Sequence, residues 1–191
     1  MLRGIPYPCV KAMDPLTHSL FGAALARTRV AKDVAFATPV LVLSSNLPDV
    51  DVGSYAWGSD AALAFRRGWT HGPLGLAVLP LLLAGLVLLW TRRAGGGGTP
   101  SARAVLALCY LGAFCHPLLD WLNTYGVRLL LPFGDRWFYG DALFIVDPWM
   151  WLLLGGVLYL AQRRGGARLV PWAILSVVAL LLLWARLPFE D

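Results

Sequence analysis

This sequence predicts an all-α, multi-pass transmembrane bundle of about five or six helices. Three observations lead there. Of 191 residues, 58% are hydrophobic and only 14% charged, whereas soluble chains average about 25% charged. The apolar residues fall in long runs broken by arginine, glycine and proline clusters. The runs are uniform or helical in period, and none alternates as a lipid-facing barrel strand does.

Taken in order, residues 1–12 hold two prolines and no periodicity, which predicts a disordered extension or a misassigned start before Met13. Residues 13–191 then form a single membrane-embedded domain. The first helix is expected over Leu16–Arg29, with Asp14 as cap and Pro15 in its first turn; it is short for a span, and short or re-entrant. A second apolar run, Val34–Leu47, stops at Pro48, and residues 48–70 read as a polar loop. Pro73–Trp90 is the clearest span: 18 residues without a charge, or ~27 Å as a helix. Arg92-Arg93 and four glycines follow as a linker. Ala102–Leu122 is a further span interrupted by Pro117, and residues 123–146 form a second long loop. Pro148–Leu160 and Leu169–Trp184 complete the bundle.

The net charge of +5 lies at the ends of apolar runs and makes no basic face, so nucleic acid is excluded as a partner in favour of the lipid bilayer. Counted over alternating loops, Arg27, Arg29, Lys32, Arg92, Arg93, Arg103, Arg163, Arg164 and Arg168 oppose Arg66, Arg67, Arg128 and Arg136. The richer set marks the cytoplasmic side. Cys9, Cys109 and Cys115 are an odd number, two within one apolar run, and give no disulfide framework. Trp57, Trp69, Trp121, Trp137, Trp149 and Trp151 gather at the opposite rim as an aromatic belt.

The chain has only three histidines, and each lies at the edge of an apolar segment, where an ionisable group is costly. His18 opens the first helix, Asp49 and Asp51 close the second, His71 opens the third, and His116 and Asp120 lie near the end of the fourth. Alternating helices bring all of them to the non-cytoplasmic face. His116 and Asp120 are four apart and share one helix face, able to grip one ion. Imidazole and carboxylate together suit a divalent metal, above all Zn²⁺, as one or two ions. A catalytic metal site hydrolyses esters or phosphoesters without a protein nucleophile. Gly-x-Ser-x-Gly and His-Glu-x-x-His are both absent, so serine hydrolases and zincins lack their motifs here.

Four motifs, Met13-Asp-Pro-Leu-Thr-His-Ser-Leu-Phe-Gly, Asn46-Leu-Pro-Asp-Val-Asp, Arg67-Gly-Trp-Thr-His-Gly and His116-Pro-Leu-Leu-Asp-Trp, resemble in the same order those of the YdjM-like family of membrane-bound metal-dependent hydrolases. The resemblance covers about residues 13–148. It implies a multi-pass inner-membrane protein with a metal-dependent hydrolase assignment and no established substrate. A more distant likeness is to the zinc-dependent phospholipase C and P1 nuclease superfamily. That analogy implies one zinc held by Asp49 or Asp51, His71, His116 and Asp120. His18 would then help to hold a second, with Asp120 as bridge. The chain departs from that pattern in lacking an amino-terminal Trp ligand and any histidine after His116. Asp141 and Asp147 are the remaining carboxylates near that face.

The expected function is metal-dependent hydrolysis of an ester or phosphoester bond, in a lipid or lipid-linked substrate at the outer face of the inner membrane. His18, Asp49, Asp51, His71, His116 and Asp120 are the expected ligands, with Asp51 as ligand or as the general base. Arg66, Arg67, Arg128 and Arg136 are candidates either to clamp a phosphate or to anchor in anionic headgroups. Two rivals stand beside this reading. A metal-ion transporter needs ligands at both ends of a path, whereas the cytoplasmic loops carry almost only arginine. The other rival is a structural or signalling membrane protein with a vestigial site.

Overall fold

The computed structural model describes residues 15–94, 100–144, 146–164, 170–171 and 174–175. The proposed amino-terminal extension and most of the expected last span lie outside these residues. Among the described residues the fold is all-helical. It comprises α1 (Pro15–Leu25), a 3-10 turn (Arg29–Ala31), α2 (Ala37–Ser45), a long 3-10 run (Leu47–Trp57), α3 (Ser59–Phe65), α4 (Pro73–Ala94), α5 (Ala102–Trp121) and α6 (Pro148–Arg164).

Two of these helices, α4 and α5, are both long and apolar enough to cross a membrane. Among the described residues the expected all-helical fold is present, with these two as its span-length helices. α1 and α2 have 11 and 9 residues, ~16 Å and ~14 Å of rise, about half of a ~30 Å hydrocarbon layer. The expected loop over residues 48–70 is corrected, because most of it is helical. Asn46 ends α2, Pro48 cannot continue an α-helical ladder, and the chain tightens into the 3-10 run before α3. Residues 123–146 are irregular, pinned by bridges between Asn123 and Leu143 and between Val127 and Phe138.

Two hydrophobic cores hold the helices. One joins Phe21 and Ala24 of α1 to Leu119, Leu122, Met150 and Leu154. The other joins Val40 and Leu41 of α2 to Ala84, Val105 and Leu108 of α4 and α5. Glycine makes the closest approaches possible. A Cβ at Gly22 would lie 2.7 Å from the Leu41 carbonyl, and one at Gly112 would collide with the Ser44 hydroxyl. α2 is thereby drawn hard against both α1 and α5. Asn46 fastens the same corner, its amide donating to the Ser19 hydroxyl at 3.0 Å. At the far side the Trp151 indole donates to the Thr17 hydroxyl at 3.1 Å, tying α6 to α1. His116 and Asp120 lie on α5 where the two cores meet.

Candidate metal centre

The residues singled out in the sequence come together from four different segments. α1 supplies His18, the long 3-10 run Asp49 and Asp51, the turn before α4 His71, and α5 His116 and Asp120. All six are buried, and His18, His71, His116 and Asp120 have no exposed surface.

Four of them converge. One donor atom each from Asp49, His71, His116 and Asp120 lies within 4.8 Å of every other. His71 Nε2 is 3.1 Å from His116 Nε2, 3.2 Å from Asp120 Oδ2 and 4.0 Å from Asp49 Oδ1. His116 Nε2 is 3.6 Å from Asp120 Oδ2 and 3.8 Å from Asp49 Oδ1. Tetrahedral zinc with bonds of ~2.0–2.1 Å has ligand-to-ligand edges of about 3.3 Å. The three edges among His71, His116 and Asp120 are within a few tenths of an ångström of that size, and the edges to Asp49 are longer, at 3.8 and 4.0 Å.

Hydrogen bonds behind the imidazoles decide which nitrogen faces inwards. His116 Nδ1 lies 2.7 Å from the Ser45 carbonyl, which can only accept, so this nitrogen carries the proton. The Thr70 hydroxyl donates to Asp51 Oδ2 at 3.0 Å, leaving its oxygen to accept from His71 Nδ1 at 2.9 Å. In its neutral form each ring therefore aims a bare Nε2 lone pair at the centre. Such anchoring of the outer nitrogen is what metal-ligating histidines ordinarily have.

Two lone pairs 3.1 Å apart beside two carboxylates repel unless a cation or extra protons lie between them. The carboxylates have guanidinium groups near them, Arg66 at 3.6 Å from Asp49 and Arg67 at 3.7 Å from Asp120, but at ion-pair rather than hydrogen-bond distance. Asp49 and Asp120 each have both oxygens buried without a hydrogen bond among the described residues. The charge count points the same way: three buried carboxylates (Asp49, Asp51 and Asp120) outnumber two buried guanidinium groups (Arg66 and Arg67). A buried uncompensated negative charge is costly, and a divalent cation removes that cost. The donor set of two imidazoles and two carboxylates fits zinc.

Asp51 stands elsewhere than was expected of a ligand or base. Its Oδ2 accepts from the Arg67 amide at 2.8 Å and from Thr70, and it lies 3.5 Å from His71 Nδ1, behind the ring. It is not one of the four converging groups. Asp51 positions His71 through Thr70. His18 is likewise outside the four but adjoins them: its ring stacks on His116 at 3.9 Å, and its Nε2 is 3.3 Å from Asp120 Oδ1. Neither ring nitrogen of His18 makes a hydrogen bond among the described residues. Asp147 caps α6 by accepting from the Trp149 and Met150 amides, and Asp141 lies in the loop before it; neither joins the cluster.

The four outer arginines divide. Arg66 approaches Asp49 Oδ1 at 3.6 Å and Asp51 Oδ1 at 3.5 Å, and its Nη2 makes no hydrogen bond. Burial alone would lower its pKa, but the Tyr55 hydroxyl and the Asp51 and Asp49 carboxylates outweigh that and raise it. Arg67 reaches Asn123 Oδ1 and the Gly126 carbonyl, passes over the Tyr125 ring, and comes within 3.7 Å of Asp120 Oδ1. Its backbone lies in the left-handed region, at φ 51°, which lets its amide meet Asp51 while its side chain turns to Asp120. Arg128, by contrast, donates to the carbonyls of Leu63, Ala64 and Arg66 at the end of α3, and Arg136 stacks on Phe138. Arg128 thereby latches the end of α3. The bonds that sequence reasoning missed are those of Thr70, Ser45 and Asn123. Only Thr70, a hydroxyl adjacent to His71, carried a visible signal.

Two helices long and apolar enough to cross a membrane, with a buried acid–imidazole cluster that could hold a metal ion, fit the class of helical membrane proteins. Residues 13–188 match the YdjM inner membrane protein family, and the chain belongs to that family. No curated protein and no solved structure matches it.

Proposed function

We propose that Asp49, His71, His116 and Asp120 hold a zinc ion and that the protein is a hydrolase of ester or phosphoester bonds in a lipid or lipid-linked substrate. The observation that carries the metal is the pair of Nε2 atoms facing each other 3.1 Å apart beside Asp49 and Asp120, both outer nitrogens being committed to Ser45 and Thr70. When bound, such an ion acts as a Lewis acid towards water and towards the bond to be broken.

The residues around it then take definite tasks. Asp51 and Thr70 keep His71 in the ligating tautomer, and the Ser45 carbonyl does so for His116. Arg66, whose buried Nη2 pairs with Asp49 at 3.6 Å but makes no hydrogen bond among the described residues, offers a charge-assisted donor to an anionic oxygen of the substrate. Arg67 holds Asp120 from the opposite side. His18, with both nitrogens free of hydrogen bonds and 3.3 Å from Asp120, is the group that would hold a second ion bridged by Asp120. The charge bias of the loops assigns the centre to the non-cytoplasmic face.

The test is metal analysis of the purified protein together with hydrolysis assays on phospholipids and lipid diphosphates. The expected result is stoichiometric zinc that is lost in folded His116→Ala, with turnover lost in parallel. Unchanged metal content in that variant would end the reading of the site. Full zinc with no turnover of any substrate would end the hydrolase reading alone.

A further inference from the structure

In residues 47–70 the polar side chains face in and the apolar ones face out. Asp49, Asp51, Ser54, Arg66, Arg67 and Thr70 are buried, whereas Val50, Val52, Trp57, Leu63, Phe65 and Trp69 are exposed, Trp57 by 76% and Val50 by 53%. Asp60 is the one exposed charged side chain between residues 47 and 72. A segment turned to water has the opposite arrangement, with its charged face outermost. The inversion runs through the whole 3-10 run and α3, so it is a continuous face and not a scatter of single apolar residues.

We propose that this segment lies in the plane of the membrane, its outer face immersed in the lipid leaflet opposite the basic helix ends, with only the turn at Asp60 reaching water. The placement needs α4 and α5 to be spans, and it needs neither zinc nor hydrolysis. Depth along those two helices identifies lipid as the partner. Arg103 on α5 and Arg92-Arg93 on α4 mark one interface. His116 lies 13 residues beyond Arg103, ~20 Å along the helix, and Asp120 lies 17 residues beyond it, ~26 Å. In a hydrocarbon layer ~30 Å thick both stop short of the far boundary, by ~10 Å and ~4 Å. α4 agrees, since the 18 residues from Thr91 back to Pro73 rise ~27 Å.

The segment is fastened at that depth from both ends. Asp49 Oδ1 is 3.8 Å from His116 Nε2, which sets the start of the 3-10 run level with His116. Arg66 comes back to Asp51 Oδ1 at 3.5 Å and to the Tyr55 hydroxyl at 3.4 Å, so the end of α3 returns to the same level. Neither end can stand out in water while the cluster lies below the boundary, and at that level lipid surrounds the spans. Phe65 and Trp69, stacked 6.5 Å apart, carry the apolar face on towards the start of α4. The polar side chains turn inward for the same reason. Facing hydrocarbon they would go unsolvated, whereas facing the cluster they find one another.

The experiment puts p-acetylphenylalanine, coupled to a hydroxylamine nitroxide, at Val52, Leu63, Asp60 or Leu82 of the full chain, leaving the native cysteines alone. Val52 and Leu63 are exposed, so neither label displaces a packed side chain, and Leu82, exposed on α4, is the standard for a lipid-facing position. Each labelled protein is reconstituted in phosphatidylethanolamine–phosphatidylglycerol vesicles. Spin relaxation is then read with oxygen, which concentrates in lipid, and with a neutral nickel chelate, which stays in water. Val52 and Leu63 are expected to lose nickel relaxation and keep strong oxygen relaxation, as Leu82 does, with the reverse at Asp60. Nickel relaxation at Val52 and Leu63 as strong as at Asp60 would overturn the proposal in favour of a solvated face. Shielding of both positions from both reagents would overturn it as well, by putting a second copy or another protein on this face. The reading is the same with or without zinc, so its failure leaves the metal and hydrolase proposals untouched.

Discussion

Replacing Thr70 with valine keeps the shape of the side chain and removes one hydroxyl. That hydroxyl is the only link in the chain from Asp51 Oδ2, at 3.0 Å, to His71 Nδ1, at 2.9 Å. Without it the His71 ring loses the acceptor that fixes its proton on Nδ1. The nearest alternative is Asp51 Oδ2 itself, 3.5 Å away and held by the Arg67 amide at 2.8 Å. Direct rescue would therefore need the ring or the carboxylate to move by about half an ångström, away from the cluster or off the amide. Removing the orienting partner of a metal-ligating histidine typically weakens binding ~10- to 100-fold, or about 1.4–2.8 kcal/mol. The same range follows from losing one hydrogen bond to a charged group in a buried site, about 1.5–3 kcal/mol. Zinc affinity measured by competition with a fluorescent chelator should fall by that factor in Thr70→Val and stay near the parent value in Thr70→Ser. A Thr70→Val affinity within twofold of the parent would refute the tautomer argument, and with it the role given to Asp51.

Further expectations concern ligands, packing, the loop latch and orientation. Asp49→Asn should lower zinc content less than His116→Ala does, because the Asp49 edges, at 3.8 and 4.0 Å, are the longest measured in the cluster; plasma emission analysis reads both. Gly112→Ala should lower thermal stability in detergent by about 1–3 kcal/mol and loosen zinc, since the added Cβ pushes α2 and its Ser45 carbonyl away from His116. Arg128→Met should leave three carbonyls at the end of α3 without their donor and make residues 59–65 more sensitive to protease, with zinc content little changed. In a Cys9→Ser background, Asp60→Cys should react with a membrane-impermeant maleimide added outside intact cells. Labelling only after lysis would reverse the orientation read from the loop charges.

Much of the centre was legible because helix geometry is strict. His116 and Asp120 share a face by their spacing, and His71 directly before Gly72-Pro73 marks a helix start. The choice between Asp49 and Asp51 was not legible while residues 48–70 were read as a loop. On a 3-10 helix, with three residues per turn, positions two apart point about 120° away from each other. Only one of the pair can therefore face the cluster, and the other is left to brace His71 from behind. α3 escaped notice for a different reason: seven residues, Ser59–Phe65, are too few for a period to be counted. The Ser45 carbonyl could not have been found at all, since a backbone acceptor leaves no mark in the sequence. α1 and α2 are as apolar as membrane helices but about half as long, and the polar break at Asn46 and Pro48 sets where α2 stops.

The four converging side chains belong to stretches that are far apart along the chain, from Asp49 to Asp120, and α4 lies between them. They can meet only after α4 and α5 have paired and α2 has docked through Gly112. The zinc proposed there would act as a rivet across the assembled helices. If it binds the assembled form alone, it would stabilise that form with the logarithm of its free concentration, by about 4 kcal/mol at a thousand times its dissociation constant. The abundance of the intact protein would then track zinc availability, and starvation for the metal would send the chain to proteolysis before any loss of chemistry was noticed.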